Sequence, residues 1–108
     1  MLIGQYEHTI DAKNRMALPA KFRGELGETV IITSGLDGCL SVFTQDGWQE
    51  ESAKWNNSTI ARVEERSVAR VMLANATEVS LDKLGRALLP NYLKKLAGLD
   101  KDVIICGL

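Results

Sequence analysis

Asp11-Ala12-Lys13-Asn14-Arg15-Met16-Ala17-Leu18-Pro19 recurs further along the chain as Asp82-Lys83-Leu84-Gly85-Arg86-Ala87-Leu88-Leu89-Pro90. Both stretches read Asp-x-x-(Asn/Gly)-Arg-x-x-Leu-Pro, and the two aspartates, at 11 and 82, stand 71 positions apart. The same offset gives further matches on both sides: Glu7 with Glu78, Ile10 with Leu81, Phe22 with Leu93, Arg23 with Lys94 and Gly27 with Gly98. A slip of two residues then aligns 30–32 with 103–105. Repetition at a fixed spacing is the signature of a repeated structural unit, so we interpret the chain as an internal duplication.

Each of the two repeated stretches begins with a predicted turn. An aspartate can accept hydrogen bonds from its own downstream backbone, which Asp11 and Asp82 are placed to do. Asn14 tolerates a positive φ angle, and Gly85 at the matching position adopts one most easily. Asn and Gly at one repeat position therefore predict a left-handed turn in both copies, with these four residues as its structural determinants.

The repeat also predicts the order of secondary structure. In the first copy it predicts a strand 5–10, a turn 11–14, a return strand 15–18, a helix 20–26 between Pro19 and Gly27, a strand 30–33, a turn 35–38 and a strand 39–43. In the second copy it predicts a strand 78–81, a turn 82–85, a return strand 86–89, a helix 91–97 and a strand 103–106. We therefore divide the chain into a first half 1–43, a helical connector 44–75 and a second half 76–108.

The connector is predicted to hold two helices. Thr44 is a suitable N-cap for a helix over 45–55, which Asn56-Asn57-Ser58 is expected to break before Ser58 caps the next. In the second helix one apolar side is formed by Ile60, Val63, Ser67, Val71 and Ala74, and the solvated side by Arg62, Glu64, Glu65, Arg66 and Arg70. Trp48 and Trp55 stand seven apart on one side of the first helix, which suggests packing or subunit contact.

The two halves are unequal at their ends. The first half continues to a strand at 39–43, whereas the sequence ends at Leu108 before an equivalent strand could form. We expect either a shortened form or a partner edge that completes the sheet, because an unpaired edge invites association.

Composition limits the classes of function. The chain has 108 residues, 45% hydrophobic, which fits one domain or two small interlocked halves. Neither a signal peptide nor a membrane span is predicted. Cys39 and Cys106 are expected to be reduced, buried thiols of an intracellular protein. Two cysteines and His8, widely spaced, do not make a zinc site, and no catalytic constellation is recognisable, so we predict neither a metal nor an enzyme.

Charge is more informative in its distribution than in its sum. The net charge is −1, from 13 basic and 14 acidic residues. Eight of those 13 basic residues fall in the windows 11–23 and 82–95, which contain the repeated turn. Positive charge is therefore concentrated on the repeated element, as expected for a nucleic-acid-binding surface.

The repeated hairpin, preceded by Tyr6-Glu7-His8-Thr9-Ile10 and followed by Gly35-Leu36-Asp37-Gly38-Cys39-Leu40, resembles the MraZ family over essentially the whole chain. The resemblance implies an α+β, strand-rich fold: a pseudo-symmetric barrel of two AbrB-like swapped-hairpin half-domains with a helical insert. It implies a sequence-specific DNA-binding transcriptional regulator, a repressor or autoregulator of the bacterial division and cell-wall gene cluster, in the cytoplasm at the nucleoid. We predict no cofactor. Ring-shaped homo-oligomers would bind direct repeats in promoter DNA. The DNA-facing residues it implies are Lys13, Arg15, Lys83 and Arg86.

Other interpretations remain open for the same residues. Arg15 and Arg86 could simply pair with the aspartates four positions earlier, although such a pair could also hold each arginine while its outer face meets DNA. The lysines suit phosphates, where a flexible point charge suffices. Four further basic residues could be no more than solvated helix faces: Lys21, Arg23, Lys94 and Lys95. The alternative function is a protein-interaction or antitoxin-like module on the same fold.

Overall fold

The computed structural model describes residues 2–58 and 63–107, and the side chains among them outside 55–66. The elements in chain order are β1 (Gln5–Thr9), β2 (Arg15–Ala17), α1 (Ala20–Leu26), β3 (Thr29–Ser34), β4 (Leu40–Thr44), α2 (Gln45–Ser58), α3 (Val63–Asn75), β5 (Thr77–Ser80), β6 (Arg86–Leu88), α4 (Asn91–Leu96) and β7 (Asp102–Cys106). The predicted order of strands and helices is confirmed, with most boundaries within one or two residues. The chain is therefore a mixed α+β, strand-rich protein.

The strands of one copy pair with strands of the other. β1 pairs with β7, β2 with β6, and β3 with β5, all antiparallel, while β4 takes the other edge of β3. Within the first copy, the predicted return strand meets β1 only through a single bridge between Ile10 and Met16. The two halves are thus interleaved rather than side by side. The strands form three separate sheets, and closure into a barrel stays a prediction.

The pairing follows the internal repeat. Val79 of β5 lies opposite Val30 of β3, and His8 of β1 lies opposite Val103 of β7. The repeat matches His8 with Val79, and it matches Val30 with Val103 once the two-residue slip is applied, so the two strand pairs are equivalent. The molecule therefore has an approximate twofold symmetry that relates β1, β2, α1 and β3 to β5, β6, α4 and β7.

One core is shared by both halves. Its buried residues are Ile10, Met16, Leu18, Phe22, Leu26, Val30, Ile32, Val79, Ala87, Leu89, Leu93 and Val103. They include repeat-related pairs such as Leu18 with Leu89 and Phe22 with Leu93. Since neither half has enough apolar surface for a core of its own, interleaving lets each supply what the other lacks.

The connector helices cover the β4-β3-β5 sheet. Thr44 caps α2 as predicted, because its hydroxyl accepts a hydrogen bond from the Gly47 N–H at 2.9 Å. The ring of Trp48 contacts that of Phe43, with centroids 5.4 Å apart, which confirms packing for this tryptophan. The expected break at 56–58 is wrong, since α2 runs through Ser58. Ile60 and Arg62 lie outside the described residues, as do the side chains of Trp55, Val63, Glu64, Glu65 and Arg66.

The predicted packing side of α3 is also wrong where the structure describes it. Ser67, Val71 and Ala74 are exposed, whereas Ala69 and Met72 are buried. α3 packs on β3, where the Thr33 hydroxyl donates to the Met72 carbonyl at 2.5 Å. Ser67, Val71 and Ala74 are thus left uncovered by the described part of the chain, because periodicity finds an apolar side without saying what covers it.

Both cysteines are free, and the prediction that they are buried is wrong. Cys39 is exposed in the turn before β4, where its thiol contacts the Leu36 carbonyl at 2.9 Å. Cys106 is exposed at the end of β7, which has a paired neighbour on one side only in the described chain. None of the helices described is both long and apolar enough to cross a bilayer.

Candidate nucleic-acid interface

The two repeated turns have the same hydrogen-bond geometry. In the first, one carboxylate oxygen of Asp11 accepts the backbone N–H groups of Lys13 and Arg15, both at 2.9 Å. In the second, Asp82 accepts those of Leu84 and Arg86, also both at 2.9 Å. This is the downstream bonding that the sequence predicted for an aspartate at a turn.

The left-handed position is also confirmed in both turns. Asn14 has φ 60° and Gly85 has φ 73°. The N–H of each donates to the carbonyl of the aspartate that begins its turn, at 3.0 and 2.9 Å. The four structural turn residues therefore act as two equivalent sets.

Each turn aspartate also holds the arginine that follows it. The second carboxylate oxygen of Asp11 accepts a hydrogen bond from Nε of Arg15 at 2.8 Å. The second carboxylate oxygen of Asp82 accepts one from Nε of Arg86 at 2.7 Å. The backbone N–H of Arg15, followed by its guanidinium, lowers the pKa of Asp11, and Arg86 lowers that of Asp82 in the same way. In the part of the chain that the structure describes, no protein acceptor binds the terminal nitrogens of either guanidinium.

Strand register brings the two arginines onto one face. In the β2–β6 ribbon, Arg15 lies opposite Leu88 and Arg86 lies opposite Ala17. Side chains alternate along a strand, so these four share a face, while Met16 and Ala87 between them face the core and are buried. The arginines are diagonal neighbours, whose Cα atoms are typically about 7–8 Å apart. We call this surface the ribbon face: Arg15, Ala17, Arg86 and Leu88.

The two lysines flank the ribbon face without being equivalent. Lys13 is the third residue of its turn and Lys83 the second of its own, so the repeat matches Lys13 with Leu84 and Ala12 with Lys83. Both lysines are exposed. Because the strands are antiparallel, the two turns lie at opposite ends of the ribbon, and each end has one lysine.

Two basic residues interpreted as solvated helix faces instead contact the turns. Lys94 of α4 donates to the side-chain oxygen of Asn14 at 3.0 Å. Its repeat counterpart Arg23, on α1, donates to the Leu18 carbonyl at 3.1–3.2 Å and covers Gly85 so closely that a Cβ there would collide with the guanidinium. Each helix thus supports the turn of the other copy. The matched positions of Arg23 and Lys94 were the available sign of a shared role.

Backbone hydrogen bonds also link each turn to the other copy. The Leu18 N–H donates to the Gly85 carbonyl at 3.1 Å, and the Leu89 N–H donates to the Asn14 carbonyl at 2.7 Å. Each turn is therefore tied to the strand end of the other copy, which fixes its position on the ribbon. Among the described residues no group of three His, Cys, Asp or Glu side chains is placed to hold a metal ion.

The sequence that forms this site matches a known protein family. The profile of the family described as "MraZ protein, putative antitoxin-like" matches residues 1–71 and 72–108. The chain belongs to the MraZ family. The resemblance in the repeated hairpin is thereby confirmed.

Named MraZ relatives match nearly the whole chain. A "Transcriptional regulator MraZ" from Thermoanaerobacter pseudethanolicus is 48% identical over 107 residues, which are 99% of this chain and 75% of the relative. Proteins of the same name from Caldanaerobacter subterraneus subsp. tengcongensis and Moorella thermoacetica are 47% and 45% identical over the same shares. These MraZ relatives are thus named as regulators of transcription.

Proposed function

We propose that this MraZ-family protein is a transcriptional regulator that binds double-stranded DNA through the ribbon face and the two turns beside it. The observation that carries the proposal is the pairing of Arg15 and Arg86 on one face, each anchored through Nε. A two-stranded antiparallel ribbon is narrow enough to enter the major groove. The role is one of binding rather than catalysis.

The anchoring prepares each arginine for recognition. Since the aspartate holds Nε, the two terminal nitrogens remain to form a planar fork, which matches guanine O6 and N7 or a phosphate. Holding the fork in one orientation reduces the conformational entropy lost on binding. Lys13 and Lys83, exposed at the two ends of the ribbon, would contact phosphates.

A homo-oligomer would multiply this small contact surface. One ribbon face with two arginines touches little DNA, and the chain as a whole has a net charge of −1. Several copies in a ring could engage successive direct repeats, so that weak contacts gain strength through effective concentration. The proposed targets are promoter repeats upstream of the division and cell-wall genes, which would place the protein in the cytoplasm at the nucleoid.

Fluorescence anisotropy with DNA from upstream of the protein's own gene tests the proposal. Arg15→Ala and Arg86→Ala should each lose about 1–3 kcal/mol of binding free energy and relax sequence preference. Lys13→Ala should weaken binding similarly on all sequences and reduce the salt slope by about 1. Arg70→Ala removes an exposed arginine of α3 and is the matched control. Parent-like affinity in both ribbon variants would refute the assignment.

A protein-interaction module is the second candidate function. The family description includes the words antitoxin-like, and α3 exposes apolar residues that the described part of the chain does not cover. A stable complex with another protein in a pull-down, together with indifference to promoter DNA, would favour it.

A further inference from the structure

The two halves present different side chains around the same pair of arginines. In the repeat register Lys13 corresponds to Leu84, and Ala17 corresponds to Leu88. Leu84 is 62% exposed and Leu88 is 59% exposed. At these two matched positions, the first half therefore has a cation and a single methyl group beside its arginine, whereas the second half has two leucines.

The exposure of Leu88 follows from its place in the ribbon. Its neighbours Ala87 and Leu89 are buried in the core, so alternation along the strand turns Leu88 outward. It lies directly opposite Arg15 and two residues after Arg86, at the end of the ribbon next to the first turn. A leucine between two arginines is poorly placed for an apolar protein partner and well placed for a ligand with both apolar and electronegative groups.

We infer that Leu88, assisted by Leu84, is a specificity-determining residue that packs against thymine methyl groups in the major groove. The inference rests on the proposed function and extends it. The major-groove edge of thymine carries a C5 methyl group beside an acceptor oxygen, and that of guanine carries the O6 and N7 acceptors. A surface that alternates arginine and leucine thus matches guanine next to thymine.

The same asymmetry gives binding a direction. Two identical halves would read a site equally well in either orientation, because their approximate twofold symmetry interchanges the arginines. The leucines remove this equivalence, since only the second half gains from a thymine methyl. One chain would then prefer a site without palindromic symmetry, which is the kind of unit that direct repeats contain.

Uracil substitution isolates the methyl contact. A duplex that the parent protein binds, taken from upstream of its gene, is compared by fluorescence anisotropy with the same duplex carrying deoxyuridine for thymine. The parent should bind the uracil duplex roughly fourfold more weakly for each methyl group covered, the value for burying one such group. Leu88→Ala should bind the thymine duplex more weakly and distinguish the two duplexes less. Leu36→Ala, at an exposed leucine in the turn before β4, should behave as the parent does.

Three results would overturn the inference. The parent could bind both duplexes equally while still requiring Arg15 and Arg86, which would remove the leucine contact and leave the proposed function standing. Leu88→Ala could keep the full thymine preference while its mass in light scattering falls, which would assign the leucine to subunit contact. The parent could fail to bind any thymine duplex from upstream of its gene, which would remove the proposed function as well.

Discussion

At the scale of single residues, the pairing of each turn arginine with its aspartate is compatible with DNA recognition by that arginine. A partly exposed ion pair contributes little to stability. Here, however, each carboxylate binds two backbone N–H groups as well as Nε, so it organises the turn and the arginine together. The interpretation of Arg15 as a turn residue and its interpretation as a DNA contact therefore describe two ends of one side chain.

The pH dependence of stability should reveal these carboxylates. The folded state lowers the pKa of Asp11 and Asp82, chiefly through the backbone N–H groups of Arg15 and Arg86. Their stabilisation is therefore complete above the unfolded pKa, about 3.9. It is lost as the pH falls below that value through the lower folded pKa. In urea denaturation the midpoint should begin to drop near about pH 4 and continue to drop at lower pH, and the drop should be smaller in the Asp11→Asn/Asp82→Asn variant.

Asp100→Asn, which removes an aspartate outside the turns, is the control for general charge effects. A pH profile of the double turn variant that coincides with the profile of the parent would count against the two carboxylates as its source.

At the scale of elements, each helix supports the turn of the other copy by a different pair of residues. Lys94 meets Asn14, whereas the bulkier Arg23 occupies the space that a side chain at Gly85 would need. Whether the left-handed turn position holds Asn or Gly thus depends on the helix residue that contacts it. This explains why the first copy can have Asn where the second has Gly.

A residue exchange tests that dependence. Gly85→Asn should destabilise the protein by roughly 0.5–1.5 kcal/mol, because the Arg23 guanidinium must move away from the Leu18 carbonyl to make room for the new side chain. Adding Arg23→Lys should recover most of the loss, since it recreates the Asn14–Lys94 pair in the second copy. Thermal denaturation of both single variants and the double variant measures the coupling.

Asn14→Gly is the reciprocal variant, and it should lose the contribution of one hydrogen bond to Lys94, about 0.5–1.5 kcal/mol. Strictly additive effects of Gly85→Asn and Arg23→Lys would contradict the dependence.

The elements also show which features the sequence could predict. The turns were predictable because their determinants, Asp11 and Asn14, act within a few residues of each other. The strand partners were not predictable from the local sequence, since a short strand such as β2 has the same pattern whether it pairs with β1 or with β6. Only the resemblance to the family implied that strands of one half pair with strands of the other. The supporting role of Arg23 was missed because it arises between copies, across a contact with Gly85.

At the scale of the whole molecule, the twofold symmetry ends at the connector. Helices α2 and α3 cover β3, so Ile31 is buried, whereas its repeat counterpart Ile104 on β7 is 59% exposed. In the described chain β7 has β1 on one side only, while β3 has neighbours on both. Within the described residues, the two repeat-related strands β3 and β7 therefore have different surroundings.

The exposed side of α3 offers the sharpest test of assembly. Val71 is 52% exposed on a side of α3 that the described residues leave uncovered, and burying a valine stabilises an interface by roughly 1.5–3 kcal/mol. Val71→Asp places a charge there instead, so the mass measured by light scattering should fall, while circular dichroism and the melting temperature of the subunit stay near those of the parent. Leu36→Asp, at an exposed leucine in a turn, should leave the mass unchanged.

DNA binding should respond to the same variant through avidity alone. Val71→Asp leaves the arginines of the ribbon face untouched, yet linked copies can bind 10²–10⁴ times more tightly than separate ones. We therefore expect a large loss of affinity for DNA with several repeats and almost none for DNA with a single repeat. Equal losses on both DNAs would point to damage within the subunit, and an unchanged mass would show that the uncovered side of α3 is not where copies meet.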